Sequence, residues 1–239
     1  MKFNDLAWAA IGFYYRSAGD QRYCRIIQDG SFLTKLRHEP YEVTAKEFEV
    51  KVILDYIDIA HYDLLIGHNF AHKIMEQIIA LQPEILTLEK CDILNCDLDS
   101  EDIQSSITKL FCSISKVEGL WITGTSKILH LLNNRLFAPL SRLLIERLNI
   151  GKNDDLLLDW LKILQKEARE VNNDFHQQGY SGDVDVYLSD KLGYAKCDCQ
   201  KSLVKFLDEY YWLKVGEKLA IPPIWMPKKT TRRKVKWKI

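Results

Sequence analysis

Gly119-Leu-Trp-Ile-Thr-Gly-Thr-Ser-Lys-Ile-Leu-His-Leu-Leu-Asn-Asn-Arg-Leu-Phe-Ala-Pro-Leu-Ser-Arg-Leu-Leu-Ile-Glu-Arg-Leu-Asn-Ile150 decides how this chain is read. Thr123-Gly124-Thr125-Ser126 has turn composition and opens a helix at Lys127. Ile128, Leu129, Leu131 and Leu132 give that helix its apolar face. Leu136-Phe137-Ala138-Pro139-Leu140 then forms a Pro-containing loop, and a second apolar helix follows it. Two helices joined by a bend therefore form the centre of the chain.

The segments on either side are also helical in pattern. Residues 4–17 place Leu6, Ala9, Ala10 and Phe13 on one face. Thr44-Ala45-Lys46-Glu47 is a capping box, and Phe48, Val52, Ile53 and Ile57 repeat at helical spacing behind it, to about residue 59. Further helices are expected over 63–81, with Pro83 just past the end, and over 100–117. Another runs from Asp154 or Asp155 to about Phe175. The loop from His176 to Asp185 leads to short helices near 186–192 and 200–213. One departure is expected, a hairpin within 21–42 that pairs Arg22–Gln28 with Phe32–Leu36 around Asp29-Gly30. The fold class is thus an all-α, multi-helix globular body over residues 1–221, in one or two helical lobes. A Pro-led basic arm occupies 222–239.

Composition narrows the function. The chain has 239 residues, 33 basic and 33 acidic, with 47% apolar residues, enough for a sizeable core. Seven basic residues and no acid fall in 228–239, so the rest of the chain is net acidic by seven charges. This asymmetry argues for a local anionic contact, not a uniformly basic surface. No run is long and apolar enough for a bilayer span, and no signal segment follows Met1, so a cytoplasmic protein with no membrane partner is expected. On that reading Cys24, Cys91, Cys96, Cys112, Cys197 and Cys199 are reduced, unrelated thiols.

Two metal arrangements can be weighed. His68-Asn69-Phe70-Ala71-His72 spaces two imidazoles at i and i+4, but Asn69 stands where a metalloprotease pattern needs glutamate. Cys91-x4-Cys96 and Cys197-x-Cys199 lack the common Cys-x2-Cys knuckle. Neither a metal nor any other cofactor is expected. In the arm, Lys228, Lys229, Arg232, Arg233, Lys234, Lys236 and Lys238 can neutralise phosphates, and Trp237 can stack on a base.

The central stretch resembles the helix–hairpin–helix segment of the endonuclease III-like DNA glycosylase superfamily, as a divergent relative. Thr123 to Ser126 stand at the family's turn, Lys127 at its nucleophilic lysine and Ser141 at its essential aspartate. Ser126-Lys127-Ile128-Leu129-His130, Asn133/Asn134 to Phe137, and Asp208-Glu209-Tyr210-Tyr211-Trp212 are similar to one subgroup. The resemblance implies that amides at Thr123, Gly124, Thr125 and Ser126, with Arg142, contact a nucleic-acid backbone. It makes Lys127 and His130 the catalytic candidates. Threonines replace both turn glycines. Serine at 141 cannot carry the negative charge that steadies an oxocarbenium-like sugar. The expectation is a nucleic-acid-binding relative, with DNA the expected ligand and catalysis weak or lost. The alternatives are a non-enzymatic helical interaction protein and an active glycosylase or lyase using Lys127 and an acid from elsewhere in the fold. Tyr210, Tyr211 and Trp212 are expected in the core.

Overall fold

The computed structural model describes residues 1–16, 19–57, 69–151, 155–194 and 199–219. The described residues form an all-α fold without strands. No described helix is long and apolar enough to cross a membrane. The basic arm lies outside the described residues, as do His68, Cys197 and the first part of the helix expected over 63–81.

The first half is built from α1 (Phe3–Arg16), α2 (Gly19–Gln28) and α3 (Gly30–His38), then α4 (Ala45–Phe48), α5 (Phe70–Ala80) and α6 (Gln82–Leu88). α4 continues as π-helical turns over Glu49–Ile57. The expected hairpin is therefore wrong. Tyr23 and Ile26 in α2 and Phe32, Leu33 and Leu36 in α3 are buried at helical spacing. Asp29 does not begin a β-turn; its carboxylate caps α3 by accepting from the Phe32 amide at 3.2 Å. Thr44 caps α4 as expected, accepting from Glu47 N at 3.1 Å. Glu47 itself accepts from Lys51 at 2.8 Å. Pro83 follows the end of α5 at Ala80, as expected, and stands in the first turn of α6, where its missing N–H costs nothing.

The second half contains α7 (Glu101–Ser115), α8 (Trp121–Leu132), α9 (Arg142–Leu148), α10 (Leu156–Gln177), α11 (Val184–Leu192) and α12 (Leu203–Tyr211). α12 runs on as a π-helical turn over Trp212–Gly216. The 22-residue α10 is the spine, burying Leu157, Trp160, Leu161, Leu164, Ala168, Val171 and Phe175 along one face. α1, α7 and α12 pack on it, and α1 also packs on α12. Asp155 is the N-cap residue of α10, though its side chain makes no capping bond.

α8 begins six residues earlier than expected. Gly119 (φ 89°) and Trp121 (φ 52°) turn the chain from α7 into α8. Thr123, Gly124, Thr125 and Ser126 are thus helical, not a turn. Their polarity is absorbed locally: Thr125 Oγ1 donates to Trp121 O at 3.0 Å and Ser126 Oγ to Thr123 O at 3.1 Å. Gly124 has a packing reason, since a Cβ there would lie 2.8 Å from Leu120 Cδ1.

Candidate functional site

Two polar side chains of α8 and that of its C-cap residue, at i, i+4 and i+7, hold the loop that follows it. Ser126 Oγ accepts from Leu140 N at 2.8 Å. His130 Nδ1 donates to Phe137 O at 2.6 Å. Asn133 Oδ1 accepts from Arg135 N at 3.0 Å and Leu136 N at 3.2 Å, while its amide donates to Leu88 O and Cys91 O. The Ser-His-Asn pattern therefore satisfies a buried loop backbone that water cannot reach. It sets the exit of the loop so that Ser141 caps α9, accepting from Leu144 N at 3.3 Å.

A cleft of about 380 Å³ opens beside this loop, within the size range of ligand pockets. α8 supplies Thr123 and Lys127, and the loop supplies Pro139, Leu140 and Ser141. Arg22 and Tyr23 come from α2 and Tyr56 from the π-helical turns. Lys205, Asp208 and Trp212 come from α12 and its extension, and Phe13 from α1. The charged lining is three cations and one carboxylate, so the cleft is net positive at neutral pH and suits an anion. Aromatic rings form much of the rest.

Lys127 is half-buried, with its ammonium donating to Ile57 O at 3.1 Å and lying 5.6 Å from the centre of the Tyr56 ring. The Tyr23 and Tyr56 ring centroids are 6.3 Å apart. Burial pushes the Tyr56 phenol well above the usual tyrosine range, so it stays neutral.

His130, one of the two catalytic candidates, is fully buried and does not line the cleft. Burial lowers its pKa to about 4, against the opposing hydrogen bond with Phe137 O. Nδ1 faces a carbonyl and must carry the proton; Nε2 then accepts from Tyr23 Oη at 3.3 Å. Its task is to hold the loop and orient Tyr23. Gly124, Thr125 and Ser126 are buried as well. Within this part of α8, only the Thr123 amide belongs to the first turn, where N–H groups lack helical partners. The four-residue amide clamp is accordingly not formed. Arg142 is exposed, pairs with Glu146 at 2.8 Å and does not line the cleft.

Asp208 is the one acid among the described residues that line the cleft. Its Oδ2 accepts from Lys205 Nζ at 2.8 Å. Behind them lies a buried ionic cluster. Lys205 Nζ is 3.3 Å from Glu209 Oε1, which also pairs with the fully buried Lys201 at 2.6 Å. Burial works against the Lys205 charge, but Asp208 and Glu209 outweigh it and hold the ammonium well above the usual lysine range. Tyr210 and Tyr211 are core as expected, whereas Trp212 is partly exposed and lines the cleft.

The cysteines depart from expectation. Cys24 of α2 and Cys199 are joined by a disulfide with Cα atoms 5.3 Å apart. The bond ties the helix that carries Arg22 and Tyr23 to the strand of chain that leads into α12. Cys91 and Cys96 do meet, and burial together with the Cys91 hydrogen bond pushes the Cys96 thiol up to about 12. Cys199 is committed elsewhere, so the four-thiolate arrangement does not form. Among the described residues no group of three or more ligating side chains could hold a metal. His72 pairs with Glu76 at 3.4 Å.

Compared with protein-family models, curated proteins and solved structures, the chain gives no match.

Proposed function

We propose that this chain is a nucleic-acid-binding protein related to the helix–hairpin–helix DNA glycosylases, and that it takes a single nucleotide into the cleft, with base excision weak or lost. One observation carries the reading. Lys127 and Ser141, which the resemblance aligns with the family's lysine and aspartate, line the same cationic, aromatic cleft. Cations there serve a phosphate, and ring faces serve a base. The basic arm adds sequence-independent attraction to a polyanion. Ser141 is engaged as a helix cap and supplies no charge, which is the ground for weak chemistry. The cytoplasm, where nucleic acid is accessible, is the proposed setting.

Fluorescence anisotropy with short labelled DNA duplexes, intact and abasic, tests the reading across a salt series. Binding should weaken steeply with salt, and both Lys127→Ala and removal of residues 228–239 should reduce it. Absence of binding at low salt overturns the proposal and leaves a helical interaction protein. A second reading, an active lyase, is favoured by one observation: Asp208 puts a carboxylate into the cleft that holds the Lys127 amine. Borohydride trapping of a covalent adduct on abasic DNA tests it, and no adduct from the wild-type chain counts against it.

A further inference from the structure

Among the described residues, Asp208 is the only acid in a cleft otherwise lined by cations, aromatic rings, and aliphatic or hydroxyl side chains. A carboxylate is a poor neighbour for an anionic ligand unless it has a separate partner to meet. Half of it is already placed: Oδ2 takes the Lys205 ammonium at 2.8 Å, and Lys205 is itself held by Glu209 at 3.3 Å. Oδ1 accepts no hydrogen bond from any described residue. The result is a fixed acceptor, without a donor for Oδ1 among the described residues, at the wall of an anion-attracting cleft. Trp212, the exposed aromatic ring of the same lining, gives a flat ligand a face to lie against.

We infer that Asp208 selects the base of the bound nucleotide by accepting a hydrogen bond from an exocyclic amine, so that the cleft prefers amino-bearing bases over those with a carbonyl at the same place. This inference rests on the nucleotide reading above and adds the class of base. The physical reason is a sign difference. The cytosine 4-amino group donates to a carboxylate oxygen, whereas the uracil 4-carbonyl presents a second acceptor and is repelled. The Lys205 contact keeps Asp208 from turning away to avoid that repulsion.

Cytidine and uridine 5′-monophosphates make the comparison direct, because they share phosphate, sugar and ring size. Calorimetric titration of the full chain should give about tenfold tighter binding of the cytidine nucleotide. Asp208→Asn, whose amide can donate to a carbonyl, should bring that ratio to one or below. The fold of the variant is checked by thermal melting, and the wild-type ratio decides the matter if the variant is unstable. Equal binding of both nucleotides overturns the role of Asp208 and leaves the nucleotide cleft standing. If neither nucleotide binds while oligonucleotides do, base selection in this cleft is overturned and nucleic-acid binding survives. If neither nucleotides nor oligonucleotides bind, both readings fall.

Discussion

The Ser126 hydroxyl, on the face of α8 turned to the loop, accepts the Leu140 amide hydrogen at 2.8 Å across fourteen residues. That bond fixes the backbone one residue before Ser141 and thereby sets one wall of the cleft. In Ser126→Ala the Leu140 N–H loses its acceptor inside the protein. An unmet buried donor costs about 1–3 kcal/mol. Urea unfolding should show a loss of that size, and an unchanged midpoint would mean that the loop is held by other contacts.

His130 makes stability depend on pH in a defined window. In the unfolded chain an ordinary histidine takes up a proton near 6.5, whereas burial holds the folded residue neutral down to about 4. Below pH 6.5 the unfolded state therefore binds more protons, and folding stability falls as pH drops toward 4. The loss over that interval is about 3 kcal/mol. Carboxylates whose folded pKa is depressed, such as Asp29 beside Lys51, lose their contribution only as pH falls below the ordinary carboxylate value. His130→Asn should flatten the slope between pH 6.5 and 4 and leave the more acidic limb in place. An unchanged slope in that variant would assign the dependence to other groups.

Reduction should weaken the fold as a whole. A disulfide between residues 175 apart in sequence restricts the unfolded chain, and native disulfides of this kind contribute about 2–5 kcal/mol. The melting temperature should fall in reducing agent. The Cys24→Ser, Cys199→Ser double variant should melt like the reduced wild-type chain and show no further response to reductant. If the wild-type chain melts at the same temperature in both conditions, the bond adds nothing to stability.

Glu209→Gln should be among the most damaging single substitutions. It leaves Lys201, whose side chain has no exposed surface, without its 2.6 Å carboxylate partner. Breaking a buried pair from one side costs about 3–5 kcal/mol. Replacing both members at once, as in Lys201→Met with Glu209→Leu, should recover much of that loss, because neither charge then needs burial. Denaturant curves of the three variants check the order.

The helical periods of α1, α7 and α10 were readable because each buries one continuous apolar stripe, as with Leu6, Ala9, Ala10 and Phe13. Asp29-Gly30 misled because the same pair that starts a hairpin also suits a helix–helix junction. The i, i+3 spacing of Tyr23 and Ile26 was the better guide. The start of α8 was misplaced because threonine and serine favour turns until tertiary packing outweighs them, as the packed Gly124 does here. Lys127 and Ser141 could be found from their neighbours in sequence. Asp208 could not be matched to Lys127, since nothing in the sequence says that α12 and α8 line the same cleft. Lys201, Lys205 and Glu209 have the spacing of a solvated helix face, and only three-dimensional packing shows that they are buried. Cysteine spacing alone does not give a pairing, so Cys24 and Cys199 were also out of reach.

The cleft draws its walls from both ends of the described polypeptide, and this constrains how it is assembled at the ribosome. Phe13, Arg22 and Tyr23 are translated early, but Lys205, Asp208 and Trp212 emerge almost two hundred residues later. Until α12 arrives, α1 lacks a principal packing partner and Cys24 has no Cys199 to bond. A growing chain therefore lacks these walls until the last of the described helices is made.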